Sequence, residues 1–330
     1  MAVLVTGGAG YIGSHMVWEL LDAGEDVVVV DNLATGFEWA VPPEARLYRC
    51  DVADTDMVRW AIREHGVDAI IHFAGSVVVP ESIARPLFYY ENNTCKSRAL
   101  IESAVECGVK AFIFSSTAAI YAAGGAEPID EAGLAAPQTP YGMSKLMVEQ
   151  MLRDVSVAHP LSYAALRYFN VAGADARGRT GQSTAGATHL IKVVCEAALG
   201  KRSHVEVYGT DYDTPDGTGV RDFIHVSDLA RAHNLALQRL RGGGGNLIAN
   251  CGYGHGYSVR DVIDSARRMS GRDFPVRFSE RRPGDLASVI ANSGRARKEL
   301  RWAPRFDDLD RIIETSLAWE DSLSRKNSAA

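Results

Sequence analysis

A glycine-rich segment between two apolar runs constrains the fold of this 330-residue chain more than any other feature. The first run, Ala2–Thr6, has the composition of a buried parallel strand, and a segment with three spaced glycines, residues 7–13, follows it at once. A helix is predicted over residues 14–23 and a second strand over residues 27–30. This order of strand, loop, helix and strand is typical of the start of a doubly wound α/β sheet.

The glycine segment also has the spacing of a dinucleotide-binding loop. Gly7, Gly10 and Gly13 permit a tight turn, a close approach of the backbone to a pyrophosphate, and close packing of the helix. The unpaired N–H groups at the start of the helix favour phosphate there. Asp31 ends the second strand, where a carboxylate binds ribose hydroxyls and repels a 2′-phosphate. The segment therefore predicts a site that favours NAD over NADP.

The alternation of strands and helices continues through the first half of the chain. Strands are predicted over residues 46–50, 68–73 and 111–115, and helices over 55–65, capped by Asp54, and 86–107. Further on, we predict helices over 227–241 and 258–270 and a strand over 246–250 that returns to the main sheet. The expected fold is a Rossmann-type doubly wound parallel sheet with a smaller mixed α/β C-terminal domain.

Polar and small residues cluster where the predicted strands end. Ligands of such sheets bind beyond the carboxyl ends of the strands. The residues at these ends are Asp51, Phe73, Ala74, Gly75 and the triplet 115–117. Their common placement predicts that they line one binding edge.

Composition excludes several classes of function. The net charge is −6 and no basic stripe is present, which argues against nucleic acid or an anionic membrane as a partner. No apolar run approaches the ~20 residues of a membrane span. The five cysteines are scattered without a Cys-x-x-Cys pair, so neither a metal site nor a disulfide framework is predicted. A cytoplasmic location is the simplest interpretation.

Tyr141 and Lys145 are four residues apart and share a face if the segment is helical. A free tyrosine, with a pKa of about 10, is a poor base at neutral pH, and a nearby cation favours its phenolate form. The hydroxyl of Thr117 can bridge a substrate and the phenol by hydrogen bonds, or it can satisfy backbone groups at a strand end.

Short motifs are spread over nearly the whole chain, at residues 6–15, 31–33, 72–75, 115–117, 141–145, 166–170, 217–226 and 281–285. Together they resemble the extended short-chain dehydrogenase/reductase family and, within it, the UDP-glucose (UDP-galactose) 4-epimerases. The glycine loop and Tyr-x-x-x-Lys are typical of the superfamily, whereas Gly-Thr-Gly-Val-Arg-Asp at 217–222 is typical of sugar-nucleotide epimerases. The resemblance implies NAD as cofactor, a UDP-sugar as substrate, and a homodimer formed through helices such as 86–107 and 138–153.

The resemblance also implies which residues bind the cofactor. Tyr11 and Ile12 would lie at the pyrophosphate. The adenosine end would be surrounded by Asp31, Asn32, Leu33, Thr35, Gly36, Asp51 and Val52. The inner part of the cofactor site would be lined by Phe73, Ala74, Gly75, Asn93, Lys145 and Phe169.

A second set of residues is implied for the substrate. Thr117 and Tyr141 would face both the nicotinamide and the sugar, and the UDP moiety would be held by Asn170, Leu190, Tyr208, Arg221, Arg282 and Asp285. Guanidinium groups bind phosphate oxygens in bidentate fashion, although most arginines are simply exposed. Asp285 could accept from ribose hydroxyls or cap a turn.

The chain departs from the family pattern at three positions. Val77 stands where many relatives carry a basic residue. His189 stands where some carry Asn; it could donate to a sugar or phosphate, or it could be a surface or core histidine. Val289 stands where a bulky tyrosine restricts N-acetylated substrates, so we hypothesise that N-acetylhexosamine nucleotides also fit.

The resemblance implies epimerisation at C4 by transient oxidation. It also implies an NAD-binding domain of residues 1–170, which about 226–250 rejoin, and a domain of residues 171–330 that mainly binds the UDP-sugar. Three alternatives stay open at this point. The enzyme could act on another nucleotide sugar, such as an N-acetylhexosamine, pentose or uronate. A 4,6-dehydratase is disfavoured because Ala118-Ala119, not Asp-Glu, follows Thr117. A non-catalytic NAD-binding regulator would typically lack the tyrosine or the lysine.

Overall fold

The computed structural model of the protein describes residues 1–122, 127–184, 186–282 and 285–327, with side chains as far as Leu323. Pro283 and Gly284 of the motif at 281–285 lie outside the described residues.

The strands form one large central sheet and several small ones. In chain order they are β1 Ala2–Thr6, β2 Asp26–Asp31, β3 Arg46–Arg49, β4 Val67–His72, β5 Ala111–Thr117, β6 Ser162–Tyr168, β7 Asn170–Ala172, β8 Val205–Tyr208, β9 Val220–Arg221, β10 Phe223–His225, β11 Leu247–Cys251, β12 Tyr257–Ser258, β13 Val276–Ser279 and β14 Ser288–Val289. Seven of them form the central sheet in the order β11-β6-β5-β4-β1-β2-β3. Every neighbouring pair in this sheet is parallel.

The α-helices alternate with these strands. They are α1 Tyr11–Asp22, α2 Thr55–Glu64, α3 Val79–Ala84, α4 Pro86–Tyr89, α5 Lys96–Glu106, α6 Pro140–Ala158, α7 Leu190–Ala198, α8 Val226–Arg241, α9 Val259–Ser270, α10 Gly294–Glu299 and α11 Leu309–Asn327. A π-helical segment, Tyr90–Cys95, joins α4 to α5. No helix in the described ranges combines the length and the apolar character of a membrane span.

The side chains of each central strand alternate between two apolar cores. Val3 and Val5 of β1 pack with Met16 and Leu20 of α1 on one face, in the same core as Leu229 of α8. On the other face, Leu4 packs in a core that includes residues of α2, α5 and α6. Because strand side chains point alternately to opposite faces, burial on both faces requires the continuous apolar runs seen in the sequence. The predicted doubly wound fold is confirmed.

Most predicted boundaries are correct to within a few residues. Helix α1 begins three residues before the predicted start at Ser14, because Gly10 adopts an extended conformation and serves as its N-terminal boundary. Asp54 caps α2 by accepting a hydrogen bond from the backbone N–H of Met57, as predicted. The returning strand is also confirmed: β11 pairs with β6, the outermost pairing on that side of the sheet.

Apart from β11, the strands that come after β6 in the chain form three small sheets. β7 pairs with β10, β9 pairs with β12 and β14, and β8 pairs with β13. Asp222, between β9 and β10, is fully buried and accepts hydrogen bonds from the backbone N–H groups of Tyr253, Gly254 and Ala291. This carboxylate therefore ties the small sheets to the segment that follows β11.

Candidate active site

The glycine loop lies between β1 and α1 with no room for larger residues. A Cβ on Gly13 would lie 2.0 Å from the carbonyl oxygen of Gly7, and one on Gly7 would lie 2.7 Å from the backbone nitrogen of Ala74. Gly7 also has a φ of +70°, which disfavours other residues. The N-terminus of α1 is thereby pressed against the sheet edge, as a bound pyrophosphate requires. These residues fit a dinucleotide.

The Asp31 carboxylate lies directly beside this loop. It is buried and accepts hydrogen bonds from the backbone N–H groups of Ala9, at 2.9 Å, and Leu33, at 2.8 Å. Two residues after the neighbouring strand β3, Asp51 accepts from the Asn32 amide at 3.2 Å and forms an ion pair with Lys96 at 2.6 Å. The structure thus brings Asp31, Asn32, Leu33 and Asp51, four of the residues implied for the adenosine end, into contact in two pairs.

The inner part of the predicted cofactor site is equally compact. A Cβ on Gly75 would lie 3.0 Å from the Asn93 amide oxygen and 3.8 Å from Nζ of Lys145. Asn93 is buried, accepts from the backbone N–H of Ser76 at 2.7 Å and donates to the Ser144 hydroxyl at 3.1 Å. The Gly75 turn is therefore held against α6.

Tyr141 and Lys145 are both buried on one face of α6. Lys145 donates to the backbone oxygen of Ser115 at 3.0 Å and lies over the ring of Phe114. Burial lowers the pKa of Lys145 to about 8, so the ammonium form predominates at neutral pH. Burial raises the pKa of Tyr141, and a hydrogen bond with the Thr117 hydroxyl opposes this rise. The lowering of the Tyr141 pKa by Lys145 stays a prediction.

A buried ion pair fixes the helix that carries these two residues. Glu149, one turn beyond Lys145, contacts Arg167 of β6 at 2.6 Å and accepts from the Ser116 hydroxyl at 2.5 Å. Arg167 also donates to Tyr121, whose hydroxyl donates to Asn250 of β11. Burial alone would lower the pKa of Arg167, but hydrogen bonding to Glu149 raises it overall. Helix α6 is thus bound to three strands of the sheet, β5, β6 and β11.

One group of predicted substrate residues lies around a cavity beside α1. The cavity is lined by Tyr11, Asn170, His189 and Leu190, among others. The Tyr11 hydroxyl donates to the backbone oxygen of Gly173 at 2.6 Å, so its ring spans from the glycine loop to the strand that starts at Asn170. His189 is exposed at the start of α7. The structure therefore places these residues around Tyr11, which is predicted to lie at the pyrophosphate.

A second group forms on the small sheets. Val289 of β14 is directly opposite Arg221 of β9. Burial lowers the pKa of Arg221, and the nearby Asp285 carboxylate opposes this effect. The guanidinium of Arg282 lies 3.7 Å from the ring centre of Tyr208, at the end of β8. Residues predicted from separate sequence segments are thus brought together in pairs.

The structure adds Tyr212 to this second group. Its hydroxyl is buried without a hydrogen-bond partner in the described part of the chain. Burial raises the pKa of Tyr212; the Asp285 charge adds to the rise and the Arg221 charge opposes it. The Arg281 guanidinium covers its ring at 4.2 Å. We did not predict Tyr212, although its place five residues before the Gly-Thr-Gly motif was an available signal.

Other predicted residues are less directly placed. Thr35 is exposed, Val52 is buried in the core that includes α2 and α5, and Phe169 is buried with its N–H donating to the backbone oxygen of Cys251. Val77 is 46% exposed in the loop before α3. Their contacts with a cofactor stay predictions.

Comparison with known proteins settles the family. The model of the family described as "NAD dependent epimerase/dehydratase family" matches residues 3–252. The chain belongs to this family.

Its members include close relatives over the full length. A UDP-glucose 4-epimerase of Azospirillum brasilense is 53% identical over 323 residues, covering 98% of this chain and 93% of the relative. The crystal structure of the Brucella ovis UDP-glucose 4-epimerase in complex with NAD matches with a TM-score of 0.94 and 42% identity, covering 96% of this chain and 97% of that one. The Bifidobacterium longum enzyme in complex with NAD+ and UDP matches with a TM-score of 0.90 and 40% identity, covering 98% of each. The resemblance stated from the motifs is confirmed.

We predict that Glu149→Gln destabilises the protein by about 3–5 kcal/mol, because it leaves the Arg167 charge buried without its partner. Urea unfolding would measure the loss. The matched control is Glu102→Gln, which removes an exposed pair with Arg98 and changes stability by about 0–1 kcal/mol. Equal unfolding midpoints for the two variants would contradict an anchoring role for Glu149.

Proposed function

We propose that the protein is an NAD-dependent 4-epimerase of UDP-hexoses that interconverts UDP-galactose and UDP-glucose. The observation that carries the proposal is the buried pair Tyr141 and Lys145 on one face of α6, with Thr117 also buried at the end of β5. The Asn93 and Gly75 cluster adjoins Lys145, which supports a cofactor site beside this pair. The relative with 53% identity carries the same activity in its name, which supports the proposal.

Inversion at C4 of a hexose requires oxidation, because the C4–H bond is not acidic enough for direct deprotonation. NAD, when bound, would supply the hydride acceptor for this oxidation and the hydride donor for the reduction that follows on the opposite face of the sugar. Tyr141 takes the proton of the 4-hydroxyl group and gives it back at the end of the cycle. Lys145 holds a positive charge near the phenol, and Thr117 orients the hydroxyl groups by hydrogen bonding.

The rest of the site divides between the two ligands. Residues 1–170, together with about 226–250, hold NAD through the glycine loop, Asp31 and the Gly75 turn. Residues 171–330 mainly hold the UDP-sugar. Arg221 and Arg282 bind the diphosphate, since planar guanidinium groups match its oxygens. A firm hold on the nucleotide and a looser hold on the sugar allow the 4-keto sugar to rotate without leaving.

We predict that Tyr141→Phe lowers turnover by about 10²–10⁴-fold, because the variant lacks the group that exchanges the proton. The measurement is conversion of UDP-galactose to UDP-glucose without added cofactor, with bound NAD quantified after denaturation. Tyr163→Phe, at the amino end of β6, is the control and should match the wild type. Near-normal turnover of Tyr141→Phe would overturn the assignment, as would an inactive wild-type protein that contains NAD.

The range of sugars depends on the space beside Arg221. Val289 faces the same part of the site as Arg221, because the two residues are paired between β14 and β9. Valine leaves more room there than an aromatic residue would. We propose that UDP-N-acetylhexosamines are also substrates.

We therefore expect turnover of UDP-N-acetylglucosamine by the wild type. Val289→Tyr should lower the ratio of kcat/KM for UDP-N-acetylglucosamine to kcat/KM for UDP-galactose at least about tenfold, because the added ring occupies the space needed by the acetamido group. Val289→Leu, with a smaller increase in volume, is the matched control. Fast UDP-galactose conversion with no turnover of the N-acetylated sugar would refute this substrate range.

We also propose a cytoplasmic homodimer. Helices α3, α4 and α6 pack together and expose Ile83, Leu87, Phe88 and Met147, which are 63%, 81%, 39% and 40% exposed. Such grouped apolar exposure is typical of an interface.

We predict that Leu87→Asp dissociates the dimer, because a buried unpaired carboxylate is strongly unfavourable in an interface. Light scattering coupled to size exclusion would measure the mass. Leu134→Asp, at another exposed leucine, should leave the mass unchanged. A monomeric wild-type protein would exclude the interface.

A further inference from the structure

Three aromatic side chains connect the loop after β2 to the C-terminal helix. The rings of Phe37 and Trp39 are 5.2 Å apart, and those of Trp39 and Trp319 are 6.1 Å apart, with interplanar angles of 32° and 33°. We call Phe37, Trp39 and Trp319 the aromatic bridge. It joins residues that are 280 positions apart in the sequence, and neither the motifs nor the proposed function assigns a role to them.

The N-terminal side of the bridge belongs to the loop that adjoins the adenosine end of the cofactor site. The loop, residues 32–40, leaves Asp31, whose carboxylate binds the backbone N–H of Ala9. It then returns to the glycine loop: the N–H of Phe37 donates to the backbone oxygen of Ala9 at 3.0 Å. A Cβ on Gly36 would lie 2.9 Å from Ala9 atoms, so the two loops are in direct contact. In this fold the adenosine ribose binds at such an acid.

The C-terminal side of the bridge is fixed. Trp319 of α11 is 3% exposed, and its indole N–H donates to the Ser183 hydroxyl at 3.2 Å. A Cβ on Gly181 would lie 2.4 Å from the Trp319 ring, so the backbone of this segment packs directly on the indole. The preceding residue, Thr180, forms a hydrogen bond of 2.7 Å with Ser14 of α1. Trp319 is therefore a fixed point that is connected to the same helix whose N-terminus faces the pyrophosphate.

Trp39, in contrast, is 42% exposed although it is a large aromatic side chain. An outward movement of the loop, away from the Asp31 carboxylate, would separate Trp39 from Trp319. Contact between two aromatic rings shifts an equilibrium by about 2–10-fold toward the state that contains the contact. The bridge therefore favours the closed loop.

We propose that the aromatic bridge holds residues 32–40 closed over the adenosine end of NAD and thereby slows release of the cofactor. The inference rests on the proposed function in one respect. Because the proposed epimerisation regenerates oxidised NAD, one retained molecule of the cofactor serves many turnovers. Trp39 and Trp319 act as positioning residues, through the loop, and do not touch the reacting atoms.

The test measures exchange of the cofactor on the holoprotein. Wild-type protein and variants are loaded with radiolabelled NAD and then mixed with excess unlabelled NAD, and the bound label is counted after rapid gel filtration at increasing times. Trp39→Ala should lose label about 2–10-fold faster than the wild type, because it removes the ring pair that joins the loop to Trp319. Trp39→Phe keeps a ring at this position and should recover most of the retention. Trp39 is preferred to Trp319 because the buried Trp319 is more important for folding.

The control is Trp60→Ala, which removes another half-exposed tryptophan, on α2, where it packs on Tyr48. It should exchange NAD at the wild-type rate. A wild-type exchange rate in Trp39→Ala would overturn the proposal, as would equal acceleration in Trp60→Ala or no recovery in Trp39→Phe. Because the label is counted on the protein, the result does not depend on which reaction the enzyme catalyses, and failure of the epimerase assignment would be seen separately as absent turnover.

Discussion

The ion pair between Glu149 and Arg167 fixes the helix on which the proposed chemistry depends. Tyr141, Lys145 and Glu149 are spaced by four residues and so share one face of α6. Glu149 binds Arg167 of β6 and Ser116 of β5, while Arg167 continues the network to Tyr121. A charge pair in this environment is stable only when each partner is saturated with hydrogen bonds. The contacts that satisfy these charges therefore fix the position of Tyr141 relative to the sheet.

The parallel register provides the second constraint. Thr6 is opposite His72, His72 is opposite Phe114, and Thr117 is opposite Tyr168, so these strands end at one edge. The glycine loop, the Gly75 turn and Thr117 consequently meet there. Asp222, which is adjacent to Arg221, links the small sheets to the segment after β11. The sheet edge and one buried carboxylate thus fix the segments that carry the predicted cofactor and substrate residues.

Local sequence patterns allowed much of the fold, including the glycine loop, to be predicted. The glycine spacing and the acid at position 31 predicted the loop, since both depend on residues within one β-α-β unit. The start of α1 was predicted three residues too late, because Gly10 has no side chain that marks a cap. Tyr212, the ion pair of Lys96 with Asp51, and the stacking of Arg282 on Tyr208 were not predicted. Each depends on contacts between segments that the sequence separates widely.

The sequence by itself determined the alternation of strands and helices, the conformations that only glycine permits, and the four-residue spacing of the phenol and the ammonium. These follow from backbone sterics and helical periodicity, which act over a few residues. Only the tertiary structure decided that Tyr141 and Lys145 are buried, that Val289 lies beside Arg221, and that Trp39 meets Trp319. Burial and long-range contact arise from packing of the whole chain, and it is burial that raises the pKa of Tyr141 and lowers that of Lys145.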